Sequence, residues 1–231
     1  MPVYHSLYDT YTHYQRFGDP GLAYVNLLAR TNARLVLRVA NADVLPWRYT
    51  AFALSLGKDI DRLATGTAAE HRDAARRNTL LENDAYRLAA VAYRHEQPPS
   101  RADDTWQDID FGPLHDAQRE LLSAAQAYDQ AASSAGTLTA KQSAAVNKAI
   151  RAIGPAFLQA SGLPQRPWYR HLLQAPGRRE GEDTAPLPGI GDAIDAHAWD
   201  QARDEARLTT EATRRATALL EQATAVLVAA R

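Results

Sequence analysis

The chain contains no cysteine and one methionine, Met1. Without thiols there is no disulfide framework, no thiolate nucleophile and no cysteine-based zinc site. The compartment stays open on this ground, because a large secreted domain does not need disulfides. Neither sign of charge dominates: 26 Lys and Arg stand against 27 Asp and Glu, a formal net charge of −1. That balance removes the long-range field of a nucleic-acid binder or a membrane-surface protein, so neither nucleic acid nor a membrane is expected as a partner. Long apolar runs are missing as well. The most apolar region, residues 22–44, is interrupted by Arg30, Asn32, Arg34, Arg38 and Asn41, whereas a membrane span takes roughly 20 residues with few or no charges. The start, Met1-Pro2-Val3-Tyr4-His5, lacks the basic and apolar regions of a signal peptide. No stretch alternates with period two, so no sheet is assigned. A nucleophile elbow, a phosphate loop and a dinucleotide-binding glycine turn are also absent.

What is present reads as helix. At 231 residues and 45% hydrophobic content, the chain is long enough to bury a core without staples. Asp19-Pro20 supplies a capping acceptor and a first-turn proline. A helix is predicted from there to about Val44, with a broad apolar stripe of Leu22, Val25, Leu28, Val36 and Val39 covered on more than one side. Further helices are predicted over 47–64, 68–95, 113–134, 139–160 and 198–229. A loop is expected over 97–112 and a long Pro- and Gly-rich one over 174–197. Loops of that length inside a compact domain are usually functional or disordered, and this one is a candidate surface for a partner domain. In the last helix, Trp199, Ala202, Ala206, Thr209, Thr213, Ala216, Leu220, Ala223 and Leu227 recur at alternating three- and four-residue steps. A heptad-like seam of small residues permits close approach of another helix. The seam fits either a partner chain or the bundle's own interior.

The seven histidines form no local metal motif; His5 and His13 are eight apart, not the four that stack on one helical turn. His71, His95, His115 and His197 lie among charged residues and read as solvated.

Two segments carry a resemblance. The first is Val3-Tyr4-His5-Ser6-Leu7-Tyr8-Asp9-Thr10-Tyr11, followed by Phe17 and Asp19-Pro20. It is similar to the end of the catalytic domain in the glutamate carboxypeptidase II and transferrin receptor family. The second runs Gly162-Leu163-Pro164, Arg166-Pro167-Trp168-Tyr169-Arg170-His171, Ala175-Pro176, Pro188-Gly189-Ile190 and Asp192-Ala193. It is similar to the stretch before the last helix of the same family. The two occur in the family's order with helices between them, and Leu45-Pro46 also matches, so the resemblance covers nearly the whole chain.

The resemblance implies an all-α fold, the antiparallel helix bundle of a transferrin-receptor-like dimerisation domain. Residues 1–18 would be the tail end of the peptidase motif and 19–231 the helical domain, with its long loop at 174–197. It implies a catalytic role for Tyr4, whose phenol would stabilise a tetrahedral intermediate, and a zinc-ligand role for His5. Both roles belong to a longer parent enzyme, because the bridging carboxylates, second histidine and general base of a two-zinc site come earlier in the family. For this chain alone no cofactor and no catalysis are expected; zinc is expected in the parent. Family members place substrate-gripping residues in the loop before the last helix, which here aligns Gly181 and Glu182 with a lysine and a tyrosine. An acidic Glu182 would repel a glutamate side chain, while Arg178 and Arg179 stand nearby, so another peptide or acyl-amino-acid substrate is as compatible. His171 matches a motif histidine and reads as structural.

The expected partners are a second copy of the chain and its own catalytic domain. Trp199, Ala202, Ala206, Ala216, Leu220, Ala223 and Leu227 are the candidate dimer interface. A receptor or adaptor that has lost catalysis is the alternative, since the transferrin receptor shares this fold. A stand-alone helical protein that binds a small molecule leaves the motif beginning at Tyr4 unexplained. An extracytoplasmic location is implied by the resemblance alone.

Overall fold

A computed structural model of the chain describes residues 3–89, 99–102, 106–178, 181 and 183–230. The chain divides into two compact units, residues 1–47 and 48–231.

In the first unit, Asp19 organises a turn between α1 (Tyr11–His13), which leads into a π-helical turn (Tyr14–Gly18), and α2 (Ala23–Ala40). Its carboxylate accepts the backbone N–H groups of Tyr24 at 3.0 Å and Val25 at 2.9 Å and the phenol of Tyr14 at 3.3 Å. Desolvation raises the Asp19 pKa, but these donors, Val25 first, outweigh it and hold the carboxyl below its ordinary value. The capping role read from Asp19-Pro20 is present, with the helix beginning at Ala23 after left-handed turns at Gly21 and Leu22. Among the described residues of this unit, Asp19 is the one that is buried. The apolar stripe of α2 is therefore not covered within its own unit: Tyr24, Leu28, Leu35 and Val36 are 61–69% exposed. Periodicity fixes which face of a helix is apolar, but it does not supply the partner that covers it.

The second unit is a helix bundle. Its members are α3 (Thr50–Glu82), α4 (Ala85–Ala89), α5 (Gly112–Ser134), α6 (Ala140–Arg151), α7 (Ile153–Ala156), α8 (Pro188–Asp195) and α9 (Trp199–Val228). The helices predicted over 47–64 and 68–95 are joined here, because α3 runs straight through Gly66. A glycine costs an exposed helix only about 1 kcal/mol relative to alanine. The flanking hydroxyls stay satisfied inside the helix, Thr65 donating to the Asp61 carbonyl at 2.6 Å and Thr67 to that of Leu63 at 2.7 Å. The rest of the predicted second helix, from residue 90, lies outside the described residues. Helix α6 opens with a capping box, in which the Gln142 N–H donates to Thr139 Oγ1 at 3.3 Å and the Thr139 N–H to Gln142 Oε1 at 2.9 Å.

Helices α5 and α9 form the most extensive pair, with Leu114, Leu121, Ala125 and Tyr128 buried on one and Ala202, Ala212, Ala216, Leu220 and Leu227 on the other. They run in the same direction: Glu120 faces Arg214 at 3.9 Å, and Gly136, just past α5, lies beside the carbonyl of Ala230, just past α9. Helix α3 runs opposite to α5, with Tyr49 beside Asp129 and Ala53 beside Gln118. The parallel α5/α9 pair needs a long return, and residues 135–198 provide it. Four buried threonines line α9 without an unsatisfied hydroxyl. Thr209, Thr210, Thr213 and Thr217 each donate to the carbonyl four residues back, an intrahelical acceptor a buried threonine can reach without a partner. No helix among the described residues is long and apolar enough to cross a membrane.

The return also contains a sheet that sequence periodicity did not show. Strands β1 (Gln174–Pro176) and β2 (Thr184–Pro186) pair antiparallel, with Ala175 opposite Ala185. Strands of three residues are too short to display a period of two, and each ends in a proline, which is tolerated at an edge.

Candidate functional site

Between α7 and α9 the chain makes a turn over residues 162–169, the β1–β2 hairpin and α8. Gly162 starts the turn with φ +70°, and a Cβ at that position would collide with the Pro167 carbonyl. The Leu163 N–H then donates to the Tyr169 carbonyl at 2.7 Å and closes the turn. Inside it, Arg166 is 8% exposed. Its guanidinium donates to the Pro176 carbonyl at 2.6 Å and to Asp192 Oδ2 at 2.7 Å, and it lies 5.5 Å from the centre of the Tyr169 ring. One side chain thus fastens the turn to the end of β1 and to α8. The planar fork of arginine suits a site that takes a carbonyl and a carboxylate together. Its Nε is buried without a partner.

Beyond β1 the hairpin is closed by the Gly177 N–H donating to the Asp183 carbonyl at 2.6 Å, and Gly181 at its tip has φ +72°. The Arg178 guanidinium is turned back onto Gln165 Oε1. Arg179 and Glu182, the other two candidates for substrate contact, lie outside the described residues. His171 is half-buried, with its ring 6.1 Å from that of Phe157, and the Leu173 N–H donates to its Nδ1 at 3.2 Å. That bond requires the neutral tautomer with the proton on Nε2, and burial lowers the His171 pKa.

Glu205, on α9, is 6% exposed, with Gln159 Nε2 donating to it at 3.5 Å. Burial raises its pKa, the Gln159 bond lowers it, and the charge of Asp204 raises it. A Cβ on Gly189, in the first turn of α8, would collide with this carboxylate. The sequence holds a signal for Glu205 that the reading of the seam passed over. It falls three residues after Ala202 and four before Thr209, on the seam itself.

The seven candidate interface residues are all in the core of a single chain. Ala202, Ala216, Leu220 and Ala223 have no exposed surface, and Trp199, Ala206 and Leu227 retain 6% or less. The seam is filled by the chain's own helices, α5 above all, followed by α6 and α8, and offers no free face to a second copy.

Tyr4 and His5 lie in the first unit. Tyr4 is 76% exposed, and its ring stacks on the exposed His5 imidazole at 3.9 Å. Among the described residues no group of three or more His, Cys, Asp or Glu converges as a metal donor set. Asp9 accepts the backbone N–H of His5 at 3.4 Å. One imidazole does not make a zinc site.

Fold and site together define a helical domain whose best-built feature is a hairpin clamped to α8. Residues 109–221 match the family model of the transferrin receptor-like dimerisation domain. The chain is 25% identical to a probable glutamate carboxypeptidase of Arabidopsis thaliana over 84% of its own length and 23% of the relative's. It is 26% identical to a probable glutamate carboxypeptidase of Zea mays, again over 84% of the chain and 23% of the relative. The aminopeptidase NAALADL1 of Rattus norvegicus is 25% identical over 96% of the chain and 26% of the relative. The chain spans about a quarter of the length of the curated relatives it matches.

Proposed function

We propose that this chain is the homodimerisation domain of a longer zinc-dependent peptidase, and that its hairpin and α8 lend part of a wall to that enzyme's active site. The match of residues 109–221 to a dimerisation family carries the reading, and relatives called carboxypeptidase and aminopeptidase supply the enzyme class. The Arg166 clamp supports a role for the hairpin, because a wall that orients substrate must be held in place by its neighbours. In the longer protein, His5 contributes one imidazole to a metal centre completed by residues from outside this chain, with Tyr4 beside it. The uncovered apolar face of α2 packs against that same absent part, which is the catalytic domain. The chain by itself is not catalytic. Glutamate is not favoured as substrate by the described residues, since Arg178 is engaged with Gln165.

Sedimentation equilibrium over a wide concentration range tests the pairing. A dimer supports the reading; a monomer persisting at high micromolar concentration rejects pairing by this chain alone. The α9 seam is already filled, so the pairing surface is another one.

A further inference from the structure

We propose that Glu205 is a pH-sensitive fastener between α9 and the unit formed by α8 and the hairpin, tight when its carboxyl is neutral and loosened when it ionises. The geometry that supports this is a carboxylate buried at the junction of three elements, with no cation paired to it among the described residues. From α9 itself the adjoining charge is Asp204, of the same sign. From the segment after α7 the facing group is the neutral amide of Gln159. The cations on that segment's backbone donate to carbonyls and not to Glu205: Arg170 to those of Gln159 and Ala160, Arg215 to that of Ala156. From α8 the contact is Gly189, whose missing side chain leaves room for the carboxylate. The acid on that helix nearest the clamp, Asp192, is already paired with Arg166.

A buried carboxylate with one long hydrogen bond is poorly compensated when charged. The N-terminal turn of α8 offsets part of that cost through the helix dipole. Protonation removes the charge and leaves a neutral acid that fits the same space. Ionisation draws the group toward water, and the elements resting on it, α8 and through it the base of β2, must give way. The loosening does not depend on the function proposed above; only its consequence for an active-site wall rests on that reading.

The test is hydrogen exchange of the intact chain, corrected for intrinsic rates, at several values from about pH 4 to about pH 8, a range that spans the ordinary glutamate and imidazole values. Protection of the α8 amides is expected to fall about fivefold or more relative to α5 as pH rises, matching the low end of the penalty for a poorly satisfied buried polar group. In Glu205→Gln that fall is expected to vanish, with α8 protected throughout. In Gln159→Leu, which removes the bond favouring the ionised form, the transition is expected to move to higher pH. His171 acts in the opposite direction and is common to all three proteins. An unchanged pH dependence in Glu205→Gln, a wild-type α8 that shows none, or an unshifted transition in Gln159→Leu would each overturn the proposal. A chain that proves monomeric would leave these outcomes untouched.

Discussion

The carboxylate of Asp129, on α5, accepts the backbone N–H groups of both Tyr49 and Thr50 at 3.0 Å, capping α3 with a side chain from some eighty residues further along. Helix α3 has no capping side chain of its own at Tyr49, and the first N–H groups of a helix need an acceptor from elsewhere. The cap adjoins two aromatic rings, Tyr49 and Tyr128, 5.6 Å apart in an edge-on arrangement. The Tyr49 hydroxyl donates to the Ile150 carbonyl at 3.0 Å. Burial first, and then the neighbouring Tyr128 and Asp129, push the Tyr49 phenol well above its ordinary value, so it stays a donor. One acid thus ties α3 to α5 beside a phenol that ties α3 to α6.

Replacing Asp129 by alanine should therefore cost more than the loss of a local cap, which is typically about 1 kcal/mol and up to about 2 kcal/mol. Equilibrium urea unfolding is expected to place Asp129→Ala at or above the upper end of that range, with Asp129→Asn losing less. A loss below about 0.5 kcal/mol, the usual scatter of surface substitutions, would show that the cap does not couple the two helices.

Gly162 offers a sharper case. Its backbone is left-handed at φ +70°, and the direction of a Cβ is blocked by backbone atoms of Pro167, which cannot swing aside as a side-chain tip can. The left-handed conformation alone costs a non-glycine residue about 1–2 kcal/mol. Gly162→Ala is expected to exceed that figure in chemical denaturation. Gly191→Ala, at a helical position with nothing within 4 Å of the new carbon, should be neutral or stabilising. Equal effects at the two positions would contradict the geometry of the turn.

How much of this was legible in the sequence depends on the range of the interaction. Helices α5, α6 and α9 follow from local signals: the box at Thr139 and Gln142, a proline at the start of α5, the stripe from Trp199 to Leu227. The stripe could not say whether its partner was a second chain or α5, because a buried seam looks the same in both cases. Asp129 reads as one more acid on an amphipathic helix until α3 is folded against it. Arg166 and Asp192 both stand inside the motif segments, yet their pairing across 26 residues depends on a hairpin too short to announce itself. The break predicted between residues 64 and 68 did not occur, because the glycine at 66 costs the helix little and the threonines beside it satisfy their hydroxyls within it. The apolar face of α2 was legible as a face, but its own unit does not cover it.

The clamp itself can be measured by a double-mutant cycle. Arg166 and Asp192 have side chains only 10% and 14% exposed, and breaking a buried pair from one side leaves an uncompensated charge, at a cost of about 3–5 kcal/mol. Arg166→Met and Asp192→Asn should each destabilise the domain strongly. The double variant should lose less than the sum, because neither charge is then left alone. Arg166→Lys should restore little, since a single ammonium cannot take the Pro176 carbonyl and the Asp192 carboxylate in the same fork geometry. Strict additivity would mean that the two residues stabilise the hairpin independently.

The pH dependence of stability should carry the mark of His171. Its pKa in the folded state is depressed by burial, so between that lowered value and about 6.5, the ordinary imidazole value, the unfolded chain binds more protons than the folded one. Stability is then fully present above the ordinary value and is lost as pH falls through the window toward the depressed one. Glu205 works the other way, its raised value favouring the folded state as pH falls. The two partly cancel in the wild type, and single substitutions should separate them. His171→Gln keeps an acceptor for the Leu173 N–H without a titrating ring, and its urea midpoint should fall less than that of the wild type between about pH 7.5 and about pH 5.5. Glu205→Gln removes the opposing contribution, so its midpoint should fall more steeply than the wild type's as pH falls from the raised Glu205 value toward about 4.3, the ordinary glutamate value. If His171→Gln instead tracks the wild type between about pH 7.5 and about pH 5.5, the buried imidazole does not govern the acid side of the profile.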